Sequence, residues 1–148
     1  MQDLLKIFER LGVEYALVGG YAVNFYGYSR ATQDLDILVN PSVSNAVKVM
    51  AALDEFGFGG AGIPKEYFER EGSAIHLGVE PNRIDLLTTL DSVPNERLFK
   101  NRVRGTLGPM TVSIIALKDL IEVKRLSKRT RDRADAEELD RISEGPDP

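Results

Sequence analysis

The sequence contains no cysteine, and its single histidine is His76. The absence of cysteine excludes disulfide bonds, thiolate metal sites and a cysteine nucleophile. A single histidine argues against a histidine-based zinc site and against a serine–histidine triad. Catalysis by this chain would therefore depend on aspartate, glutamate, lysine and arginine side chains, which favours metal-assisted phosphoryl chemistry.

Long hydrophobic runs are also missing. No apolar stretch approaches the roughly 18 residues that indicate a membrane-spanning helix, and residues 1–4 begin an amphipathic helix instead of a secretory signal. We therefore expect a cytoplasmic protein with no membrane partner. The chain has 148 residues, of which 43% are hydrophobic and 28% charged. This composition predicts one globular domain over residues 1–143, followed by a disordered tail at 144–148.

Hydrophobic periodicity predicts a mixed α/β chain of the α+β type. Helical spacing of apolar residues predicts helices between Ser42 and Gly57 and at 2–12, 21–26, 116–128 and 131–142. Short apolar segments predict strands at 15–18, 34–39, 74–80, 83–89, 102–107 and 110–115. Two pairs of strands flank the turn sequences Pro81-Asn82 and Gly108-Pro109 and should form hairpins. The predicted sheet is therefore mixed and largely antiparallel, flanked by helices, with two helices at the C-terminal end.

Asp34 and Asp36 lie one residue apart in Asp34-Leu35-Asp36-Ile37-Leu38-Val39, a stretch that otherwise has the pattern of a buried strand. Alternate side chains of a strand share a face, so the two carboxylates lie on one face with their Cα atoms about 7 Å apart. They repel each other unless a cation lies between them, and Mg²⁺ prefers carboxylate oxygens. The pair therefore predicts either a divalent metal site or an exposed sheet face with two solvated acids.

A third acid, Asp85, lies within the apolar segment Arg83-Ile84-Asp85-Leu86-Leu87. An ionised aspartate is rarely buried without a partner. If its strand neighbours that of Asp34 and Asp36, the three carboxylates converge and could hold two metal ions about 3.5–4 Å apart. The histidine, His76, is expected to face solvent or to fill a sheet position.

Gly19 and Gly20 end the first predicted strand, just before a predicted helix. Glycine at this point lets the backbone approach a ligand closely, and a helix start suits a phosphate. A plain strand-to-helix turn is the alternative. Arg30 precedes the acid pair. Its planar guanidinium could clamp phosphate oxygens, or Arg30 could be an ordinary loop residue with no part in binding.

Lys124 falls near the middle of the apolar face of the helix predicted at 116–128. A lysine in an apolar stripe either extends its charge to solvent or faces an anionic group. Asp132 and Asp135 likewise share a stripe with the apolar residues of the last predicted helix. The partner of Lys124 is therefore either one of these acids, in a structural salt bridge, or a bound phosphate.

The net charge of −4 hides an uneven distribution. Residues 116–133 carry seven Lys or Arg against three acids, whereas residues 134–148 carry six acids against one arginine. The basic segment could contact phosphates or RNA. The alternative is a solvated helix face with local ion pairs.

In this order, these residues resemble the nucleotidyltransferase superfamily typified by DNA polymerase β. Its signature is a strand, a Gly-Gly or Gly-Ser turn that opens a helix, an Asp-x-Asp pair and a third acid on a later strand. The matching parts are Leu17-Val18-Gly19-Gly20, Asp34-Leu35-Asp36 and Asp85. A wider set of motifs is similar to those of the AbiEii-like nucleotidyltransferases, several of which are toxins of toxin–antitoxin pairs. These motifs are Val18-Gly19-Gly20-Tyr21-Ala22, Arg30-Ala31-Thr32-x-Asp34-Leu35-Asp36, and Lys124 followed by Arg131-Asp132-x-x-Asp135.

The resemblance implies the nucleotidyltransferase fold and transfer of a nucleoside monophosphate from an NTP to a hydroxyl of an unknown acceptor, with release of pyrophosphate. It implies Mg²⁺ or Mn²⁺, with two ions when substrate is bound, and a proton transfer from the acceptor to Asp85. The implied metal ligands and catalytic residues are Asp34, Asp36 and Asp85. The predicted nucleotide-binding residues are Gly19, Gly20, Arg30, Lys124 and Arg131. The predicted supporting residues, which orient the basic side chains, are Asp132 and Asp135.

Three interpretations of the partner and the activity stay open. The first is a toxin that acts on tRNA and has an antitoxin partner, with the basic segment 118–133 carrying RNA phosphates. The second is modification of a small molecule or of a partner protein. The third is a catalytically silent nucleotide-binding or regulatory module of the same fold, against which the presence of all three acids argues.

Overall fold

The computed structural model describes residues 2–28, 32, 34–59, 61–79, 82–90 and 93–145. Its α-helices are α1 (Gln2–Leu11), α2 (Gly19–Phe25), α3 (Val43–Leu53), α4 (Asn95–Asn101), α5 (Leu117–Arg125) and α6 (Thr130–Ser143). Its strands are β1 (Tyr15–Val18), β2 (Leu35–Val39), β3 (Ala74–Leu77), β4 (Ile84–Leu87), β5 (Val103–Leu107) and β6 (Met110–Ile114). A π-helical turn at Asp54–Phe58 and a 3₁₀ turn at Lys65–Phe68 follow α3.

Within these ranges the strands form a six-stranded mixed sheet in the order β3-β4-β2-β1-β6-β5. Three pairs of consecutive strands are antiparallel, namely β1 with β2, β3 with β4, and β5 with β6. The pairs are joined to each other by parallel contacts of β2 with β4 and of β1 with β6. The predicted fold class, a largely antiparallel mixed sheet flanked by helices with two helices at the C-terminal end, is confirmed.

Helices cover both faces of the central strands, and this positions the acids. Leu35 lines a common cavity with Leu5, so α1 lies over the Leu35 face of β2. Asp36 lines a cleft with Leu120 and Lys124, so α5 lies over the opposite face. Helix α5 packs in turn against α6. The alternative of an open sheet face with two solvated acids is therefore wrong for Asp36.

Three local features differ from the sequence prediction. Helix α2 begins at Gly19, two residues earlier than predicted, so the Gly-Gly pair forms its first turn. Helix α4 is missing from the prediction, because a seven-residue helix is too short to give a clear helical period. The β3–β4 hairpin pairs Leu77 with Ile84, which moves its centre one residue ahead of the predicted turn. Pro81 of that turn and residues 146–148 of the predicted tail lie outside the described residues.

None of the helices in the described ranges combines the length and the apolar character needed to cross a membrane.

Candidate active site

Asp36 and Asp85 lie side by side in the middle of the sheet. Strands β2 and β4 are parallel neighbours, and their register pairs Asp36 with Asp85. The two carboxyl groups share a hydrogen bond. Asp34 lies immediately before β2, with its Oδ2 atom 3.4 Å from Nη2 of Arg83. We call Asp34, Asp36 and Asp85 the acid cluster.

Burial and neighbouring negative charge raise the pKa of Asp36 to about 7. Loss of hydration is the largest cause, followed by the charge and hydrogen bond of Asp85 and then by the charge of Asp34, whereas Lys124 acts in the opposite direction. A carboxyl group with such a pKa carries a proton in about half of the molecules at neutral pH. The acid cluster therefore has more negative charge than its surroundings compensate.

Asp85 is bound by two cationic or polar neighbours. His76 Nδ1 donates to Asp85 Oδ1 at 2.6 Å. Arg83 places Nε 3.0 Å from Oδ1 and Nη2 3.3 Å from Oδ2 of the same carboxylate. Burial opposes the ionisation of Asp85, but the hydrogen bonds from His76 and Arg83 outweigh it and lower its pKa below the usual value. Of the two acids, Asp36 is therefore the one that is protonated more readily.

His76 and Arg83 are functional candidates that the sequence analysis does not include. The side chain of His76 is 59% exposed, in line with the expectation that it faces solvent, but it is also bonded to Asp85. The β3–β4 register pairs His76 directly with Asp85. A hairpin centred on Pro81-Asn82, as predicted, would pair His76 with Leu87 instead. A one-residue error in the centre of the hairpin therefore concealed this contact.

The Gly19–Gly20 corner packs directly against the segment that carries the acids. Gly19 has a φ of 66°, in the left-handed region that favours glycine. A Cβ atom at Gly19 would lie 2.1 Å from Oδ2 of Asp36, and one at Gly20 would lie 2.4 Å from Oγ1 of Thr32. Thr32 Oγ1 in turn donates to the carbonyl oxygen of Asp34 at 3.3 Å. Close packing therefore explains why glycine occupies both positions.

A cleft of about 600 Å³ opens beside Asp36. One wall carries Gly19 and Asp36, and the facing wall, from α5 and the segment leading to α6, carries Lys124, Lys128 and Arg129. The apolar part of the lining is Val18, Leu87, Leu90, Leu120, Val123 and Leu126. The cleft thus places an acid opposite basic side chains, on largely apolar walls.

Lys124 is buried and bound to the two acids of α6. Its Nζ atom lies 3.0 Å from Oδ1 of Asp132 and 3.4 Å from Oδ2 of Asp135. Lys124 is 8% exposed and Asp135 is 2% exposed. Burial opposes the ionisation of Asp132, but hydrogen bonds from Ser127 and Lys124 lower its pKa. Of the two alternatives for Lys124, the salt bridge is present, and the same side chain also lines the cleft.

The other predicted nucleotide-binding residues lie apart from the cleft or outside the described ranges. Gly20 is buried, and Arg131 is exposed on α6; neither lines the cleft in the described part of the chain. Arg30 lies outside the described residues. Lys128 and Arg129 line the cleft instead, and the sequence signal for them was the basic segment 116–133.

The acid cluster fits a divalent cation at Asp34 and Asp36. Oδ1 of Asp34 is buried and has no hydrogen-bond partner among the described residues, as expected of an oxygen that a cation would satisfy. Asp36 is protonated in about half of the molecules at neutral pH, and a cation could replace that proton. Both oxygens of Asp85, by contrast, already contact Arg83. Accordingly, the described ranges contain no group of three or more His, Cys, Asp or Glu side chains arranged to hold a metal ion.

Gly19→Ala is expected to destabilise the protein by more than the strain of placing alanine at a positive φ. Gly62 offers a matched control, because its φ is 72° and a Cβ there would meet nothing within 4 Å. Gly62→Ala should lower the free energy of unfolding by about 1 kcal/mol through strain. Gly19→Ala should lower it by roughly 2–4 kcal/mol, because its Cβ also collides with Asp36. Urea unfolding measures both, and equal losses would contradict the tight packing of Gly19 on Asp36.

No protein-family model and no curated protein sequence matches the chain. The fold is similar to the lincosamide antibiotic adenylyltransferase LnuA in its lincomycin-bound crystal structure, with a TM-score of 0.56 and 16% identity over 95% of this chain and 96% of that chain.

Two further solved structures have similar folds. The solution structure of the antibiotic-resistance factor ANT(2'')-Ia has a TM-score of 0.60 and 10% identity, covering 97% of this chain and 82% of that chain. An antigenic nucleotidyltransferase-like protein from Paracoccidioides brasiliensis has a TM-score of 0.54 and 14% identity, covering 94% of this chain and 71% of that chain. The chain therefore has the nucleotidyltransferase fold. At these identities the likeness shows the fold and not the reaction.

Proposed function

We propose that this protein is a metal-dependent nucleotidyltransferase that moves a nucleoside monophosphate from an NTP to a hydroxyl group of an acceptor and releases pyrophosphate. The observation that carries the proposal is the register of Asp36 and Asp85 on neighbouring parallel strands. Gly19 lies against Asp36 on one side, and Lys124 faces it across the cleft. The fold is shared with an adenylyltransferase, which supports the same class of reaction at this site.

Asp34 and Asp36 are the residues that would hold the first divalent cation, Mg²⁺ or Mn²⁺, and Asp85 would share a second one. When bound, the metal would stabilise the negative charge that develops on the phosphoryl oxygens. Two observations support this assignment. Oδ1 of Asp34 is buried with no hydrogen-bond partner among the described residues, and uncompensated charge raises the pKa of Asp36 to about 7.

The remaining chemistry is assigned to side chains of this protein. An oxygen of the acceptor hydroxyl forms a bond to the α-phosphorus while the bond from that phosphorus to the bridging oxygen breaks, and pyrophosphate leaves. Asp85, which is ionised at neutral pH, accepts the hydroxyl proton. Lys124 neutralises charge on the triphosphate from across the cleft, while Asp132 and Asp135 hold its ammonium group in place. Gly19 allows the backbone corner to come close to the phosphates.

The acceptor has two candidate classes. The LnuA structure contains lincomycin and ANT(2'')-Ia is an antibiotic-resistance factor, so a small molecule with a free hydroxyl is one class. A tRNA is the other, with this protein as the toxin of a toxin–antitoxin pair. Lys128 and Arg129 on the cleft and the exposed Arg131 support it, because they extend positive charge beyond the nucleotide. RNA binding that weakens steeply with salt would identify the second class.

One observation favours a second function. The carboxylate of Asp85 already contacts His76 and Arg83, so the site could hold a nucleotide without supporting transfer. The protein would then be a catalytically silent nucleotide-binding or regulatory module.

Labelling with substrate tests the proposal directly. The purified protein is incubated with each of the four α-³²P-labelled NTPs, Mg²⁺ and total cell extract, and the products are separated into nucleic acid, protein and small molecules. Label in one fraction, with an equivalent release of pyrophosphate, supports nucleotidyl transfer and identifies the acceptor class. Nucleotide binding without transfer or pyrophosphate release supports the silent module. Absence of both binding and transfer contradicts both functions.

A further inference from the structure

Arg83 lies between two members of the acid cluster. Its Nη2 atom is 3.4 Å from Oδ2 of Asp34 and 3.3 Å from Oδ2 of Asp85, and its Nε atom is 3.0 Å from Oδ1 of Asp85. A planar guanidinium has several donors at fixed angles, which suits contacts with more than one carboxylate oxygen. Arg83 thus supplies positive charge where a cation shared by these acids would supply it.

These contacts divide the acid cluster into two unequal halves. On the Asp85 side, both carboxylate oxygens contact Arg83, and Oδ1 is also hydrogen-bonded to His76. On the Asp34–Asp36 side, Oδ1 of Asp34 is buried and has no hydrogen-bond partner among the described residues. An arginine therefore already satisfies the carboxylate on the Asp85 side, whereas a buried carboxylate oxygen on the Asp34 side has no partner among the described residues.

We propose that Arg83 is a built-in competitor of the second metal ion. The protein without nucleotide binds one divalent cation through Asp34 and Asp36, and Asp85 becomes a ligand only when the guanidinium leaves it. The oxygens of a bound triphosphate are a ligand that can draw Arg83 away, so occupancy of the second position depends on nucleotide. This inference rests on the proposed function, because it presupposes a metal site at the acid cluster.

The number of bound ions is the quantity that tests this role. Mn²⁺ is titrated into the protein without nucleotide, and binding is followed by calorimetry and by the electron paramagnetic resonance signal of free Mn²⁺. We expect the stoichiometry to rise from about one ion per chain in the wild type to about two in Arg83→Gln. The matched control is Arg104→Gln, which removes the same charge from the ion pair of Arg104 with Glu9 of α1. Arg104 lies on β5, at the opposite edge of the sheet from β3 and β4. It should behave as the wild type does.

Other outcomes separate the two proposals. If Arg83→Gln binds one Mn²⁺ ion more tightly but still only one per chain, then Arg83 merely repels the cation by its charge. That result would overturn the role of Arg83 as a competitor of the second ion. That role is overturned as well if Mn²⁺ binds the wild type, is lost in Asp36→Asn and is unaffected in Arg83→Gln; the metal site would then stand. Absence of Mn²⁺ binding in both the wild type and Arg83→Gln would overturn the metal site itself. If Arg83→Gln does not fold, Arg83→Lys serves, because one ammonium group cannot reproduce the contacts of the guanidinium with both acids.

Discussion

Asp36→Asn is expected to abolish pyrophosphate release and, at the same time, to stabilise the folded protein at pH 8. Asp36 is the member of the acid cluster that lines the cleft, so its charge is the one closest to a bound triphosphate. Loss of a charge that holds the cation should lower the turnover rate at least about 10³-fold, equivalent to roughly 4 kcal/mol of transition-state stabilisation. Asparagine has nearly the same shape as aspartate, so the packing against Gly19 is kept.

The gain in stability follows from the raised pKa of Asp36. An aspartate in the unfolded chain has a pKa near 3.9, whereas that of Asp36 in the folded protein is about 7. Between these two values the folded state binds a proton that the unfolded state does not, so this group lowers stability as pH rises from about 4 to about 7. Asparagine carries no charge and avoids the loss. We expect Asp36→Asn to gain roughly 1–3 kcal/mol in free energy of unfolding at pH 8, and little near pH 4.

Urea unfolding at pH 4.5 and pH 8, together with a pyrophosphate-release assay, measures both effects. Asp54→Asn, at an exposed acid of the π-helical turn, is the control and should change neither quantity. Addition of Mn²⁺ at pH 8 should stabilise the wild type but not Asp36→Asn, because a ligand that binds only the folded state stabilises it. Loss of stability at pH 8 in Asp36→Asn would contradict the charge excess that we assign to Asp36, and undiminished turnover would contradict its part in holding the cation.

The acids of the site could be found from the sequence because each one interrupts an apolar strand pattern. Asp36 and Asp85 lie among residues that are buried in the sheet, and in such a segment a carboxylate needs a partner. The same reasoning located Lys124 and its two candidate partners on the C-terminal helices. Local periodicity was sufficient in these cases, since it reports which side chains face the interior.

The contacts between the acids and their neighbours depended on information that periodicity does not contain. The parallel pairing of β2 with β4 joins segments far apart in the chain, and an apolar pattern does not specify which strands are neighbours. The contact of His76 with Asp85 depended on the exact centre of a hairpin, because moving the centre by one residue moves each cross-strand partner by two residues, from Asp85 to Leu87. Arg83 was missed because a long flexible side chain can reach several partners, and only tertiary packing selects among them.

Lys124→Met is expected to weaken NTP binding and to destabilise the protein, and the two losses have different origins. Removal of one partner of a buried ion pair leaves buried carboxylates with less compensation, which typically costs about 3–5 kcal/mol. Asp132 is partly exposed, so we expect a loss of roughly 2–4 kcal/mol here. The affinity for NTP should fall at least about tenfold, because the lysine that faces Asp36 across the cleft is gone.

A second substitution separates these effects. Lys124→Met combined with Asp135→Leu replaces the buried charges by apolar groups of similar size, an exchange that is often neutral for stability. The double variant should therefore recover most of the lost free energy of unfolding. Its affinity for NTP should stay as low as that of Lys124→Met, since no group replaces the ammonium in the cleft. Lys118→Met, at an exposed lysine of the same helix, is the control and should leave both quantities near their wild-type values.

Thermal unfolding and calorimetric titration with an NTP, in the presence and absence of Mg²⁺, give the two quantities independently. If the double variant recovered NTP affinity together with stability, Lys124 would act only through the salt bridge with Asp132 and Asp135. If stability alone returned, the ammonium group would have a direct part in binding the triphosphate. The acids of α6 would then be positioning residues for binding, because they hold the ammonium group that contacts the triphosphate.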